Sequence, residues 1–159
     1  MGHLVTRPAG LDDATRAIEV LRESITRLCI ADHQNDPKTL ELWLSNKTTE
    51  HFARWLANAD SHIVVAELDS NVCGVAALTR AGKITLCYVH PSTLRRGIGR
   101  GLLAALEAQA RLWGIRKLEL NSSLTARAFY ERHGYRSAGD PVPGLGVILG
   151  YPYEKELAP

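Results

Sequence analysis

The chain carries 159 residues, 45% of them hydrophobic and 23% charged, with a formal net charge of +2. That is the composition of one globular domain spanning residues 1–159, and so small a basic excess argues against a general nucleic-acid binder. No apolar run approaches the roughly 20 residues of a membrane span and the N-terminus has no secretory core, so a cytoplasmic protein without membrane contact is expected. Cys29, Cys73 and Cys87 are odd in number and lack metal-ligand spacing. They read as buried, reduced thiols, with no metal site.

Residues 3–7 read as a first strand, stopped by Pro8. Leu11, Asp12 and Asp13 start a helix whose apolar face is Ile18, Leu21, Ile25 and Leu28. A polar connection at 30–36 precedes a second helix, opened by Pro37, capped by Asp36 and burying Leu40, Trp43 and Leu44. Thr48 or Thr49 caps a third, short helix carrying Phe52, Trp55 and Leu56. The period then changes. Residues 63–67 and 72–78 are β-prone runs joined by a turn at Asp69, Ser70 and Asn71, and a second turn at Ala81 and Gly82 leads to Ile84–Val89. His90 and Pro91 end that strand, because proline cannot donate to a ladder.

A basic, glycine-spaced turn follows: Arg95, Arg96, Gly97, Ile98, Gly99, Arg100 and Gly101. After it Leu102, Leu103, Leu106, Ala110 and Trp113 recur at helical spacing, so the turn opens into an amphipathic helix. The first turn of a helix leaves N–H groups unpaired and carries partial positive charge. Glycines remove the Cβ atoms that would keep a ligand off the backbone, and the arginines add formal charge. The sum is an anion site, most simply for a pyrophosphate, against the alternative of a loop whose arginines merely face solvent. Charge-assisted bonds contribute roughly 1.5–3 kcal/mol each, so a few can anchor a cofactor. A P-loop would need Gly-Lys followed by Ser or Thr, but Leu102 follows the last glycine. A dinucleotide fingerprint would need a third glycine at that same place, with Glu119 as the later ribose-binding acid.

Gly114 ends the central helix, residues 117–120 make another strand, and this order implies a parallel βαβ unit. Residues 123–133 read as a last helix with Gly134 as its C-terminal cap. Two final strands at 135–137 and 147–151 flank a mobile loop at 141–146. The fold class is α/β of the α+β kind: a mixed, mostly antiparallel central sheet of about seven strands with helices on both faces.

Two motifs carry a family resemblance. LRRGIGRGLL, after a strand ending in Tyr88 and Val89, closely resembles motif A of the GNAT superfamily, the acyl-CoA-dependent N-acyltransferases. The glycines of that pattern fall on Gly97 and Gly99, while its leading Gln or Arg position is Leu94, a departure. The run from Ser122 to Tyr135, with Ala126, Phe129, Tyr130 and Gly134, resembles the family's final motif. The likeness runs along essentially the whole chain. It implies central parallel strands that splay apart, acetyl-CoA as cofactor, and an N-acetyltransferase acting on a primary amine of a small molecule or peptide by direct attack in a ternary complex. It also implies that backbone groups at Cys87, Tyr88 and Val89 pair with the pantetheine arm, that amides from Arg95 through Gly101 hold the pyrophosphate, and that Asn121, Ser123, Ala126, Phe129 and Tyr130 complete the cofactor site. Because many relatives pair through their last strands, a homodimer is implied as well.

Acyl transfer needs an unprotonated amine, a stabilised oxyanion and a quieted leaving thiolate. A backbone N–H near Val89 suits the oxyanion. Tyr130, the matched family tyrosine, is the catalytic candidate for the leaving group, with a packed helix aromatic as the alternative. A free tyrosine has a pKa near 10 against roughly 8.5 for a thiol, so a hydrogen bond rather than full proton transfer is the economical role. A lysine-like amine costs roughly 4–5 kcal/mol to deprotonate at neutral pH. Several relatives place a glutamate on the central strand, but residues 83–89 contain no acid. Glu67, Asp32, His33 and His90 stand as candidate bases, and the sequence does not choose among them. Ser24, Asp32, His33 and Trp43 are candidates for the acceptor pocket. Cys87 lies inside a strand without a matched base and is rejected as an acyl-carrying nucleophile. A non-catalytic acyl-CoA sensor and a nicotinamide oxidoreductase are the competing readings.

Overall fold

The computed structural model describes residues 2–159. Strands β1 (Leu4–Pro8), β2 (Ser61–Leu68), β3 (Asn71–Thr79) and β4 (Ile84–Val89) form an antiparallel sheet in that order. Both inner strands are apolar almost without alternation, Ile63 to Ala66 and Val72 to Leu78 all being buried, as strands covered on both faces must be. Between them Asp69 (φ 51°) and Ser70 (φ 71°) make a two-residue hairpin turn of left-handed residues, whose twist matches that of the strands. Asn71, read as part of that turn, opens β3 instead.

A second antiparallel sheet is gathered on one long strand, β8 (Leu149–Glu156), which pairs with β5 (Lys117–Ser122), β6 (Arg136–Ser137) and β7 (Val142–Pro143). The two sheets touch at a single parallel bridge between Lys83 and Glu119, where the Glu119 N–H donates to Gly82 O at 2.9 Å. Beyond that bridge β4 and β5 are not paired. The mixed sheet of about seven strands is therefore built as eight strands in two halves, with the splay at the join.

Helix α1 (Ala14–Leu28) and α4 (Thr49–Ala57) cover one face of the first sheet, and α5 (Ile98–Leu112) covers the other. Ala17, Ile18, Val20, Leu21 and Ile25 fill α1's inward stripe, as their 3–4 spacing requires. Leu102, Leu103, Leu106 and Ala110 do the same for α5. Each fully buried leucine contributes about 1.5–3 kcal/mol. Gly74 on β3 permits this docking: a Cβ there would meet Ile98 Cγ2 at 2.7 Å and Leu102 Cδ1 at 2.9 Å. No helix among the described residues is long and apolar enough to cross a membrane.

Several boundaries differ from the sequence reading, each for a local reason. Helix α5 begins at Ile98, four residues before the apolar repeat, because Gly97 (φ 76°) is its N-terminal cap and Gly99 to Gly101 lie within its first turns. The connection at 30–36 contains a short helix α2 (Ile30–His33), closed by Gln34 and Asn35 in the left-handed region. Asp36 does cap α3 (Pro37–Leu44), accepting from the Thr39 N–H at 3.0 Å and the Thr39 hydroxyl at 2.6 Å. Helix α6 spans only Arg127–Arg132, because Ser123 spends its hydroxyl on the Ala126 N–H and makes the four preceding residues a turn. The segment read as a mobile loop is tied down: β7 pairs with β8, Gly144 N–H donates to Ile148 O at 2.8 Å, and Val147 N–H donates to the Thr39 hydroxyl at 3.1 Å. Residues 147–148 precede β8 rather than opening it, and that strand runs on to Glu156.

Lys47, in the connection between α3 and α4, is only 7% exposed. Its ammonium donates to the Trp43 carbonyl at 3.3 Å and to the Asn46 side-chain oxygen, and it forms no ion pair with a carboxylate among the described residues. Burial, aided by the nearby Arg22 cation, lowers its pKa from 10.5 to about 8. Below pH 8 both folded and unfolded chains hold this proton and folding bears the desolvation cost. Between about 8 and 10.5 the unfolded chain binds the proton more tightly, so this group's penalty disappears as pH rises. A Lys47→Met variant should thus exceed the native chain in stability by up to about 3 kcal/mol at neutral pH, the difference closing toward pH 10. Urea titrations at the two pH values check it; a difference that does not vary with pH would contradict the buried-charge account.

Candidate active site

The splay between β4 and β5 opens into a cavity of about 450 Å³. All six residues of β4 line one wall and Leu120, Asn121 and Ser122 of β5 line the other, with Ser24, Trp43, Leu145 and Ile148 toward one end and Gly99, Phe129 and Tyr130 toward the other. The edge of β4 that faces the cavity can be read from its pairing. His90 N–H donates to Cys73 O at 2.8 Å, and in an antiparallel ladder such paired residues alternate. Tyr88 thus spends its backbone groups on β3, whereas the N–H and C=O of Cys87 and Val89 point into the splay. Tyr88, read from the sequence as a backbone contact for the cofactor, presents only its side chain to the cavity.

The basic turn sits at the open end of this cleft. Arg95 (φ 63°) and Gly97 (φ 76°) are both left-handed, which bends the chain so that α5 starts with its amino end at the cavity. The amides of Ile98, Gly99 and Arg100 are first-turn amides without an intrahelical acceptor. Gly97 has open space where a Cβ would stand, and Gly99 lies against the Phe129 ring. Arg95, Arg96 and Arg100 are exposed around them. Gly101 departs from the expected cradle: its N–H donates to Gly97 O at 3.0 Å, and its Cα faces Thr6 and Leu4 of β1. It is a packing glycine. The Ile98 side chain is likewise core, leaving only its amide toward the cleft.

Tyr130 projects from α6 into the cavity while remaining 6% exposed, held edge-on between Phe129 at 5.2 Å and Tyr135 at 5.6 Å between ring centroids. Burial pushes its phenol well above the usual tyrosine range, with the Cys87 thiol, Tyr88 and Tyr135 adding to the shift. It is therefore a neutral hydroxyl that can donate a hydrogen bond. Burial also raises the Cys87 thiol to about 12, so it is not a ready nucleophile, in keeping with its rejection on sequence.

Of the acceptor candidates, Ser24 and Trp43 line the cavity, and Asp32 and His33 do not. His33 is fully buried, with Nε2 3.0 Å from Ile25 O and Nδ1 accepting from the Asn35 N–H at 3.0 Å. Those partners require a proton on Nε2 and none on Nδ1, leaving no lone pair for a base. Asp32 accepts from the Leu124 N–H at 2.6 Å and from the Thr125 N–H and hydroxyl at 3.2 and 2.6 Å. It fastens the turn that leads into α6, and so positions Tyr130. Glu67 pairs with Arg7 at 2.9 Å on the far side of the sheet, and His90 turns Nδ1 onto Ser92, outside the cavity. None of the four proposed bases faces the splay. Among the described residues the lining holds no carboxylate and no imidazole.

Sequence reasoning did not single out Leu28, Ile148 and Thr125 as cavity residues. Leu28 and Ile148 carried only a core signal, since apolar periodicity does not distinguish a wall from an interior. Thr125 was visible as a polar residue in a motif, but its partner Asp32 lies 93 positions away.

The split sheet leaves an open cleft with a glycine-lined helix terminus, able to take an anion, at one end. Residues 25–157 match the family model described as Acetyltransferase (GNAT) domain, and the chain belongs to that family. A GCN5-related N-acetyltransferase from Rhodopseudomonas palustris is 26% identical and superimposes with a TM-score of 0.86 over 99% of this chain and 98% of its own. The PaiA N-acetyltransferase from Thermoplasma acidophilum, solved in complex with coenzyme A, is 23% identical with a TM-score of 0.80, covering 98% of this chain and 99% of its own. YncA of Salmonella typhimurium, a putative acetyltransferase solved with acetyl-CoA, shares 20% identity with a TM-score of 0.68 over 99% and 95%. No curated relative matches the chain in sequence.

Proposed function

We propose that this acetyltransferase moves an acetyl group from acetyl-CoA to a primary amine by direct attack, with both substrates bound in the splay. Bound there, the thioester supplies an activated acyl group. The amides of Ile98, Gly99 and Arg100, with Arg95, Arg96 and Arg100 around them, would hold the pyrophosphate; the absence of a Cβ at Gly97 leaves the approach open, and that at Gly99 makes room for the Phe129 ring. The outward edge of β4 at Cys87 and Val89 offers donors and acceptors to an extended arm, as an added strand would use them. Asn121 faces this gap from β5, and Ser123, Ala126 and Phe129 shape the end of it beside the cradle. The Val89 N–H is the donor placed for developing negative charge on the acyl oxygen. Tyr130 holds its proton on Oη and donates it as a hydrogen bond toward the departing sulfur. Ser24, Trp43 and the 141–148 segment bound the acceptor side.

The observation that carries this reading is the unpaired β4 edge lying between a helix terminus free to bind an anion and a buried, protonated tyrosine. Titrating coenzyme A into the protein in a calorimeter, then following thiol release from acetyl-CoA across a panel of amines, tests it. Saturable heat and amine-dependent release are expected. No heat with coenzyme A ends the proposal, and binding without release for any amine leaves only a sensor.

A further inference from the structure

A second cavity, of about 310 Å³, opens beside α4; it shares Thr85 and Leu86 of β4 with the first cavity but takes in neither the cradle nor Tyr130. Lys47 and Asn46 line it from the α3–α4 connection, Trp55 and Asn58 from α4 and its end, Ser61 from β2 and Thr85 from β4. We propose that this cavity binds a small organic carboxylate, the anion pairing with the Lys47 ammonium and the body lying against Trp55.

Three observations converge on an anion. Lys47 is 7% exposed, with two of its three N–H groups accounted for by Trp43 O and the Asn46 side chain. The nearest formal charge is also positive: Arg22 donates to the Leu44 and Lys47 carbonyls, both at 3.1 Å. Two cations thus stand together, the inner one withdrawn from water, and neither forms an ion pair with a carboxylate of the protein among the described residues. A buried cation in that state lacks the partner that normally offsets its desolvation. Around it the wall supplies neutral polar groups from Asn58, Ser61 and Thr85 and one aromatic face, Trp55, fixed edge-on to Phe52 at 6.1 Å. The lining has no acid, so it favours a carboxylate over an amine. An aromatic or short aliphatic acid fits the volume and the tryptophan, and inorganic phosphate would leave that wall unused.

The test is calorimetric titration of the full chain with benzoate, and with benzamide as the neutral isostere, at fixed ionic strength. Benzoate should bind at least about tenfold more tightly than benzamide, and Lys47→Met should lose that preference while coenzyme A binding is unchanged. The same benzoate affinity in Lys47→Met, or no discrimination between benzoate and benzamide by the native chain, overturns the proposal. Lysine-edited NMR of the native protein gives an answer that needs no variant: benzoate should move the Lys47 side-chain titration to higher pH, and an unmoved titration counts against the site. Failure of coenzyme A to bind would refute the acetyltransfer reading and leave this one standing.

Discussion

Tyr130→Phe should lower turnover by about 100- to 1,000-fold and leave coenzyme A affinity within about twofold. The phenol is 6% exposed and packed edge-on against Phe129 and Tyr135, so phenylalanine keeps the ring, its contacts and the shape of the wall. What it removes is one O–H at the cavity wall, beside the Cys87 thiol. A donor to a leaving sulfur acts as charge develops there, which is why the loss belongs to kcat and not to binding. The direction of the pKa shift sharpens the test. A phenol held well above its usual range stays protonated throughout alkaline assays, so the native enzyme should show no decline from Tyr130 ionisation up to pH 10. Steady-state kinetics of both proteins with direct calorimetry settles the point: unchanged turnover in the variant would remove the tyrosine from the reaction.

Gly99→Val should weaken coenzyme A by about 100-fold, near 2.7 kcal/mol, and lower stability as well. A Cβ at this position would stand 2.8 and 2.9 Å from two atoms of the Phe129 ring, closer than any real contact, so that ring must turn away. Its displacement disturbs the wall beside the cradle, where we propose that the first-turn amides hold the diphosphate. Losing one or two charge-assisted bonds of about 1.5–3 kcal/mol gives the stated figure. Gly97→Ala is the contrasting case. Its φ of 76° strains any residue with a side chain by about 1 kcal/mol, yet the space is open, so binding should fall far less. Equal coenzyme A affinity for the native chain and Gly99→Val would show that these amides do not hold the cofactor.

The acetyltransferase reading depended on features that lie close together in the chain. The strand from Ile84, the glycine-spaced basic turn and the Phe129–Tyr130 pair each occupy a short window, and backbone chemistry fixes what such windows do. Helix α3 could be placed from Asp36 and Pro37 alone, because a cap and its helix are neighbours. Boundaries failed where one residue redirected the backbone: the Ser123 hydroxyl shortens α6, and the left-handed Gly97 lets α5 start early.

What the order of residues settled by itself was most of the elements, the glycine-spaced helix terminus and the family. Periodicity, glycine and proline act within a few residues, so their consequences can be read directly. Folding decided which polar side chains remain free. Asp32 and His33 stood as candidate bases, but the 124–125 turn gives Asp32 three hydrogen bonds and Ile25 and Asn35 occupy both ring nitrogens of His33. Lys47 carries no local sign of burial, yet it is 7% exposed beside a cavity lined from α4, β2, β3 and β4. Desolvation and hydrogen-bond saturation arise from segments distant along the chain, and no local pattern encodes them.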